Sequence, residues 1–288
     1  MIDPSIISSG KVSLKKAALN TVLTIAGSDP SGGAGIQADI KTFAAIGVYG
    51  AAVVSSLTVQ NTKGVFRVQP LDPSLVKEQI TCVLDDLEVS HIKIGMLGSA
   101  AIAAVICDTL VDFPGEIIYD PVLVSSSGRQ LIDRTGYDTV RTKLLEICTV
   151  VTPNVPELKM LAEQECSTNE ALNSAVAGVL RRYQKLRTVI VTGGHTETEK
   201  DIITDYLFTS SPGSRTPECL ENSHARIASR NTHGTGCTFS AAFTAYHLQT
   251  GDDRKAFYLT STFMDTVIRK SALLKIGHGT GPLVHHLR

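Results

Sequence analysis

TVLTIAGSDPSGGAGIQADIKTF, residues 21–43, opens as an apolar, β-branched run, breaks at a cluster of glycines and resumes as a helix-like segment. The pattern is strand, turn, helix: bare glycine backbone lets a ligand come close, and the helix is expected to start near Ala34. Neither familiar nucleotide fingerprint fits. No Lys-Ser or Lys-Thr follows Gly32, and Gly33-x-Gly35 has Ala38 where a third glycine belongs, so neither a P-loop nor a dinucleotide-type turn is present. Within the helix, Ile36, Ile40, Phe43 and Gly47 share a face with Asp39 at its border, and pattern alone reads Asp39 as a solvated carboxylate.

The same alternation continues outward. Short runs rich in Val and Ile (TVLTIAG, AAVVSSLTV, HIKIGML, EIIYDPV, CTVVTPN and TVIVTGG) are separated by longer amphipathic segments. Helices are expected over residues 35–45, 73–87, 100–111, 155–165, 169–186, 236–249 and 252–274. This predicts an α/β fold with a largely parallel sheet covered on both faces, in which ligands gather at the carboxyl ends of the strands. Residues 209–229, rich in Ser, Pro and polar side chains, read as a loop with at most one short strand. Residues 21–288 are expected to form one domain, and residues 1–20 an extension outside it.

With 288 residues, 43% of them hydrophobic, the chain is long enough to bury a sizeable core. A formal net charge of -1 offers no basic field for nucleic acid or an anionic membrane, so a polyanion held here is expected to be small, such as a nucleotide. No apolar run approaches the roughly 20 residues needed to span a bilayer, and a cytoplasmic protein is expected. Lys11, Lys15 and Lys16 are accompanied by Asp3 and by no arginine in residues 1–20, which argues against a mitochondrial presequence. The six cysteines are scattered without C-x-x-C spacing, indicating neither a zinc module nor a disulfide framework.

Several polar groups fall at strand ends. Gln60 and Asn61 follow AAVVSSLTV; an amide offers a donor and an acceptor side by side and suits a heteroaromatic ring with an amino group, although a turn amide also caps its own backbone. Asp120, Asn154 and Glu157 supply hard oxygen ligands of the kind that hold magnesium together with waters and phosphates, while plain helix capping by Asn154 explains part of the same pattern. In VTGGH, residues 191–195, the glycines again allow close approach, and His195 reads as a surface or hydrogen-bonding histidine. Finally NTHGTGCTFSAAF, residues 231–243, is a glycine turn feeding a helix. Gly234, Thr235, Gly236 and Cys237 are thereby placed where unpaired N–H groups and the helix dipole favour an anion. The same position is expected to lower the Cys237 thiol pKa from roughly 8.5, making it a conceivable proton acceptor; a buried, inert cysteine is the alternative.

Taken in order, TIAGSDPSGGAGIQADIKTF, VQNTKGV, IKIGML, DPVLVSSSG, TPNVPE, VTGGH, NTHGTGCTFSAA and GHGTGPLVHH resemble the hydroxymethylpyrimidine and phosphomethylpyrimidine kinases of thiamine biosynthesis, in the ribokinase-like superfamily. The resemblance implies a three-layer α/β/α fold with a mostly parallel central sheet. It implies ATP and Mg2+ as cofactors, and a homodimer that phosphorylates 4-amino-5-hydroxymethyl-2-methylpyrimidine and then its monophosphate. By motif position it assigns Gly27, Asp39 and Gln60 to the pyrimidine, with Met96 and Val122 as apolar walls, and Asp120 and Glu157 to magnesium. Asn154, Thr192, Gly194 and Thr232 fall near the nucleotide phosphates, and Gly234 to Cys237 match the anion hole. Thr192 stands where many bacterial relatives carry lysine. A pyridoxal kinase and a catalytically silent pyrimidine or nucleotide sensor are the competing readings.

Overall fold

Residues 21–26 of the first strand are all buried, as an apolar run covered on both faces requires. The computed structural model describes residues 21–123, 128, 130–194, 201–210 and 216–286; the expected N-terminal extension and His195 lie outside them. In chain order the elements are β1 (Thr21–Ser28), α1 (Gly35–Ile46), β2 (Tyr49–Asn61), β3 (Gly64–Pro70), α2 (Pro73–Asp86), β4 (Val89–Ile94), α3 (Ala100–Leu110) and β5 (Glu116–Tyr119). There follow α4 (Arg134–Thr139), a π turn over Val140–Leu144, α5 (Leu145–Ile147), β6 (Val150–Val151), α6 (Val155–Ala162), α7 (Asn169–Arg182) and β7 (Thr188–Val191). The last are β8 (Ile202–Thr209), β9 (Glu218–Ala225), α8 (Thr235–Thr250) and α9 (Asp253–Ala272).

The strands form one sheet in the order β3-β2-β1-β4-β5-β6-β7-β8-β9. The pairings from β2 to β7 are parallel, and β3, β8 and β9 join antiparallel at the two margins. Because the chain leaves β1 first toward β2 and then crosses to β4 on its other side, the strand order reverses at β1, which opens a crevice beyond its carboxyl end. Leu23, Ile25, Ile92, Ile94, Ile117 and Tyr119 face a core shared with α2, α3 and α7. Their alternates Val22, Ile118, Val150 and Ile190 face α1, α8 and α9, completing the three layers.

Every expected helix is present, with ends shifted by a few residues. Side-chain caps account for many starts: Asp72, Ser99, Thr168 and Asp252 each accept from a first-turn amide. The expectations missed β3, β8 and the turn of helix from Arg134 to Ile147, and allowed residues 209–229 at most one short strand, where β9 runs for eight residues. β3 and β9 bury none of their residues and β8 buries only three of eight, so no long apolar run announces them. In α1 the buried face is Ala38, Asp39, Thr42, Phe43, Ala45 and Ile46, rotated from the expected one so that Asp39 lies inside it.

At the amino edge of the sheet a second polar cluster closes the space under α8, beside a recess of about 460 Å³. Arg187 donates to Glu116 at 2.6 Å and lies 3.4 Å from Asp253, whose other oxygen accepts from Thr188 at 2.7 Å. The guanidinium can only donate, so His247 Nε2, 3.2 Å from Arg187 Nη2, accepts; the His247 proton then sits on Nδ1, 2.9 Å from His91 Nε2. His91 Nδ1 in turn meets Ser90 Oγ at 2.9 Å. Both rings are thus neutral. Burial, reinforced by His247, pushes His91 down to about 4, and burial lowers His247 as well, although Asp253 opposes it. Between about pH 6.5 and 4 the unfolded chain binds protons that these rings refuse. Their contribution is therefore complete above that window and is lost as pH falls through it. We expect His91→Gln, whose amide oxygen accepts the same hydrogen bond, to recover ~2 kcal/mol of the stability lost between pH 7 and 4.5. Denaturant midpoints at the two pH values measure it, and an unchanged loss would remove His91 as its source.

Candidate active site at the carboxyl edge of the sheet

Strand register decides what lies beneath the crevice. Thr24 on β1 and Lys93 on β4 are direct neighbours in the parallel ladder, and alternation turns both away from the Ile25 and Ile94 face, toward α1 and α8. There they meet Asp39. Thr24 donates to Asp39 Oδ2 at 2.6 Å, and Lys93 Nζ lies 3.1 and 3.0 Å from its two oxygens, with both Lys93 and Asp39 fully buried. Asp120, which follows β5, is 3.8 Å from the same ammonium and accepts from Ser240 on α8 at 3.0 Å.

This cluster is short of positive charge. Burial raises Asp39 and Asp120 above the ordinary carboxylate range, with Lys93 opposing the rise in each. Burial alone would lower Lys93, but Asp39, Cys237 and Asp120 reverse that and hold the ammonium charged, above its usual value. Glu157 is pushed up to about 8 by burial and by Asp120. One ammonium thus faces two carboxylates, with a third acid nearby whose ionisation the surroundings oppose.

Above the cluster stands the start of α8. Its N-cap is Gly234 at φ 82°, a left-handed conformation, and no side chain caps the first turn. A Cβ on Gly234 would lie 1.8 Å from the carbonyl of Gly33, and one on Gly35 2.1 Å from that of Gly27, so these loops meet backbone to backbone. The Cys237 thiol lies among Lys93, Asp120, Asp39 and the Gly35 amide. The expected lowering of its pKa is not found: burial pushes the thiol up to about 12, and Lys93 and the Gly35 amide only partly offset this.

Other expected residues fall around this centre. Met96 covers Gly27, whose Cβ position would be 3.0 Å from the Met96 sulfur, and Val122 follows Asp120 half-buried. Asn154 and Glu157 form a reciprocal capping box on α6, each side chain 2.9 Å from the other's amide nitrogen, which realises the capping alternative. Thr192 bridges Asn154 across the strand ends, Gly194 is exposed with open space at its Cβ position, and Thr232 is exposed before α8. Gln60 meets His233, whose Nε2 is also 2.8 Å from Asp29. Asp39 is buried beneath the crevice, with its oxygens engaged by Thr24 and Lys93. Among the described residues no group of three or more His, Cys, Asp or Glu is placed to hold a metal by itself.

The family model for phosphomethylpyrimidine kinase matches residues 29–284. The chain belongs to the phosphomethylpyrimidine kinase family. The hydroxymethylpyrimidine/phosphomethylpyrimidine kinase of Rhizobium meliloti is 38% identical over 264 residues, 92% of this chain and 96% of the relative. The bifunctional protein ThiED of Geobacter sulfurreducens is 37% identical over 93% of this chain, which spans about half (52%) of that protein's length. Among solved structures, the phosphomethylpyrimidine kinase of Clostridium difficile superposes with a TM-score of 0.73 at 32% identity, covering 85% of this chain and 98% of that one. The pyridoxal kinase of Staphylococcus aureus in complex with pyridoxal gives 0.82 at 27% identity, covering 94% and 95%.

Sequence reasoning in this phosphomethylpyrimidine kinase family member missed Lys93, Thr24 and Ser240, and left Asp29 and His233 without a role. Lys93 carried a signal. A lysine in the middle of HIKIGML, flanked by isoleucines in a strand covered on both faces, is buried and must be paired.

Proposed function

We propose that this chain is a hydroxymethylpyrimidine and phosphomethylpyrimidine kinase of thiamine biosynthesis. It transfers the γ-phosphoryl of ATP to the hydroxymethyl group of 4-amino-5-hydroxymethyl-2-methylpyrimidine, and then phosphorylates the monophosphate in the same site. The observation that carries this reading, beside family membership, is the α8 N-terminus without a side-chain cap, set against the Gly33–Gly35 turn and over the buried Lys93. The amides of Gly234, Gly236 and Cys237 are directed at the transferring group, where charge develops, while that of Thr235 donates to the Thr232 carbonyl at 3.3 Å and shapes the turn. Gly27, Gln60, Met96 and Val122 hold the pyrimidine, and Asn154, Thr192, Gly194 and Thr232 lie along the phosphates of ATP.

Magnesium suits the two acids. Asp120 and Glu157 are too few to cage an ion alone, but with waters and phosphates they supply hard oxygens where positive charge is lacking. Asp120 and Glu157 would hold the ion, which would supply positive charge to neutralise the phosphates there. Lys93 keeps Asp39 and Asp120 from repelling the incoming phosphate. Cys237 carries its proton at neutral pH, so positioning and charge stabilisation, rather than a strong thiolate base, drive a loose phosphoryl transfer.

Residues 21–288 act as one kinase domain in this reading, in the cytoplasm. No described helix is long and apolar enough to cross a membrane. A homodimer is supported by Tyr49, Leu57, Val59 and Phe66, which leave the β2–β3 margin of the sheet exposed and apolar.

The test incubates purified protein with ATP and magnesium, offers hydroxymethylpyrimidine and pyridoxal separately, and resolves products by chromatography with mass detection. Pyrimidine diphosphate is expected. Pyridoxal phosphate as the main product would instead favour the second reading, a pyridoxal kinase, which the Staphylococcus aureus likeness supports. Monophosphate alone would place the limitation at Thr192, where the lysine of many relatives is absent.

A further inference from the structure

Asp29, His233 and Gln60 are joined in a way that phosphoryl transfer alone does not explain. Asp29 is 2% exposed, and its carboxylate accepts from the Ser31 amide at 2.8 Å, the Ser31 hydroxyl at 2.7 Å, the Gly33 amide at 3.0 Å and the Ala34 amide at 2.9 Å. Burial works against the charge, but His233 and Ser31 outweigh it and hold Asp29 down at about 2. An ionised carboxylate only accepts. His233 Nε2, 2.8 Å from Asp29 Oδ2, therefore carries a proton.

The Gln60 amide lies with its nitrogen 3.0 Å from that protonated Nε2 and its oxygen 3.2 Å from Thr58 Oγ1. Set this way round, two donors face each other at His233. On the other side the single Thr58 hydroxyl proton would have to serve both Gln60 and the Ser28 carbonyl 3.0 Å away. Turning the amide over removes the donor–donor clash and the double demand on Thr58, and leaves the one His233 Nε2 proton shared between Asp29 Oδ2 and Gln60. Gln60 Oε1 then accepts from His233, Gln60 Nε2 donates to Thr58, and the Thr58 proton is kept for Ser28. Amide orientation is assigned from such networks, and two independent neighbours give the same answer.

We infer that His233, held by Asp29, is a positioning residue that fixes the Gln60 amide and so determines which way round an aminopyrimidine ring binds. The inference rests on the pyrimidine reading above. With His233 and Thr58 each taking one site, the amide keeps one acceptor and one donor side by side. An aminopyrimidine presents the complement, an amino group next to a ring nitrogen. The fixed amide requires the amino group on the His233 side and the ring nitrogen on the Thr58 side. In 4-amino-5-hydroxymethyl-2-methylpyrimidine the hydroxymethyl group neighbours the amino group, on the side away from that ring nitrogen. It is therefore carried toward His233 and the start of α8, which follows His233 directly in sequence. The reversed amide would accept the reversed ring and send the hydroxymethyl group away from the anion hole. Pyridoxal has no amino donor beside its ring nitrogen and leaves the pair unmatched, so the same device sets specificity.

The test compares His233→Leu and His233→Gln with the unaltered protein, using hydroxymethylpyrimidine, ATP, and pyridoxal as substrate or competitive inhibitor. His233→Leu is expected to raise the pyrimidine KM ~10–100-fold, leave the ATP KM within about threefold, and narrow the preference for pyrimidine over pyridoxal at least ~10-fold. His233→Gln, whose amide N–H reaches roughly the place of the imidazole Nε2, should restore the preference to within about fivefold. Equal losses for both rings, or a glutamine variant as poor as the leucine one, overturns the inference. Should a variant not fold, 15N shifts of the histidines in the unaltered protein decide: a protonated His233 Nε2 across the active pH range is required, and a bare Nε2 overturns it. Failure of the proposed function would show separately, as no pyrimidine product from the unaltered protein.

Discussion

Lys93→Met is expected to destabilise the protein by about 3–5 kcal/mol and to lower kcat by ~10²–10³. Methionine fills nearly the same volume, so the loss is electrostatic: Asp39, fully buried, keeps only the Thr24 hydroxyl, and Asp120 keeps Ser240. Removing one partner of a buried pair leaves a charge that the interior cannot solvate. The two effects separate in Lys93→Met/Asp39→Asn. There the orphaned carboxylate is gone, so the denaturant midpoint should recover by more than half, while kcat stays low because no cation remains under the anion hole. A double variant that regained kcat would show Lys93 to be a packing residue only.

Gly234→Ala is expected to lower kcat by ~10²–10³ with a much smaller effect on the ATP KM. Alanine is disfavoured at φ 82°, and its methyl would lie 1.8 Å from the Gly33 carbonyl, a backbone atom with no rotamer to yield. Either α8 moves back or the Gly33–Gly35 turn does, and the amides shift relative to the transferring phosphoryl by an amount that matters at this chemistry. Gly236→Ala provides the control, since nothing lies within 4 Å of its Cβ position. Steady-state kinetics on the two variants measures the difference, and equal losses would mean that glycine content, not the close approach, is what the turn requires.

The parallel heart of the sheet and its helices were legible because strands buried on both faces read as apolar runs and the helices between them keep their period. The antiparallel margins were not, since β9 is half-polar and mostly exposed. The start of α8 was legible as a glycine turn feeding a helix. What could not be read was the state of the groups around it. From its place at a helix start, Cys237 should have a lowered pKa, but burial among two carboxylates raises it, and that environment depends on strands distant in sequence. Asp39 shows the same limit. Its helical face was assigned from Ile36 and Ile40, which are only half-buried, whereas the partner that draws Asp39 inward is on β4. Family resemblance singled the residue out but did not say what it touches.

The pairing of Asp29 with His233, 204 positions apart, has a consequence for how the protein comes into being. His233 is itself held by a bridge to Pro282 and by its amide to the Gly281 carbonyl at 3.0 Å. Residues through Pro282 must therefore have left the ribosome before the substrate-orienting contact can form, long after β1, α1 and β2 have emerged. The contact that orients the substrate is thus among the last that synthesis makes possible, as is the core that α8 and α9 close over α1.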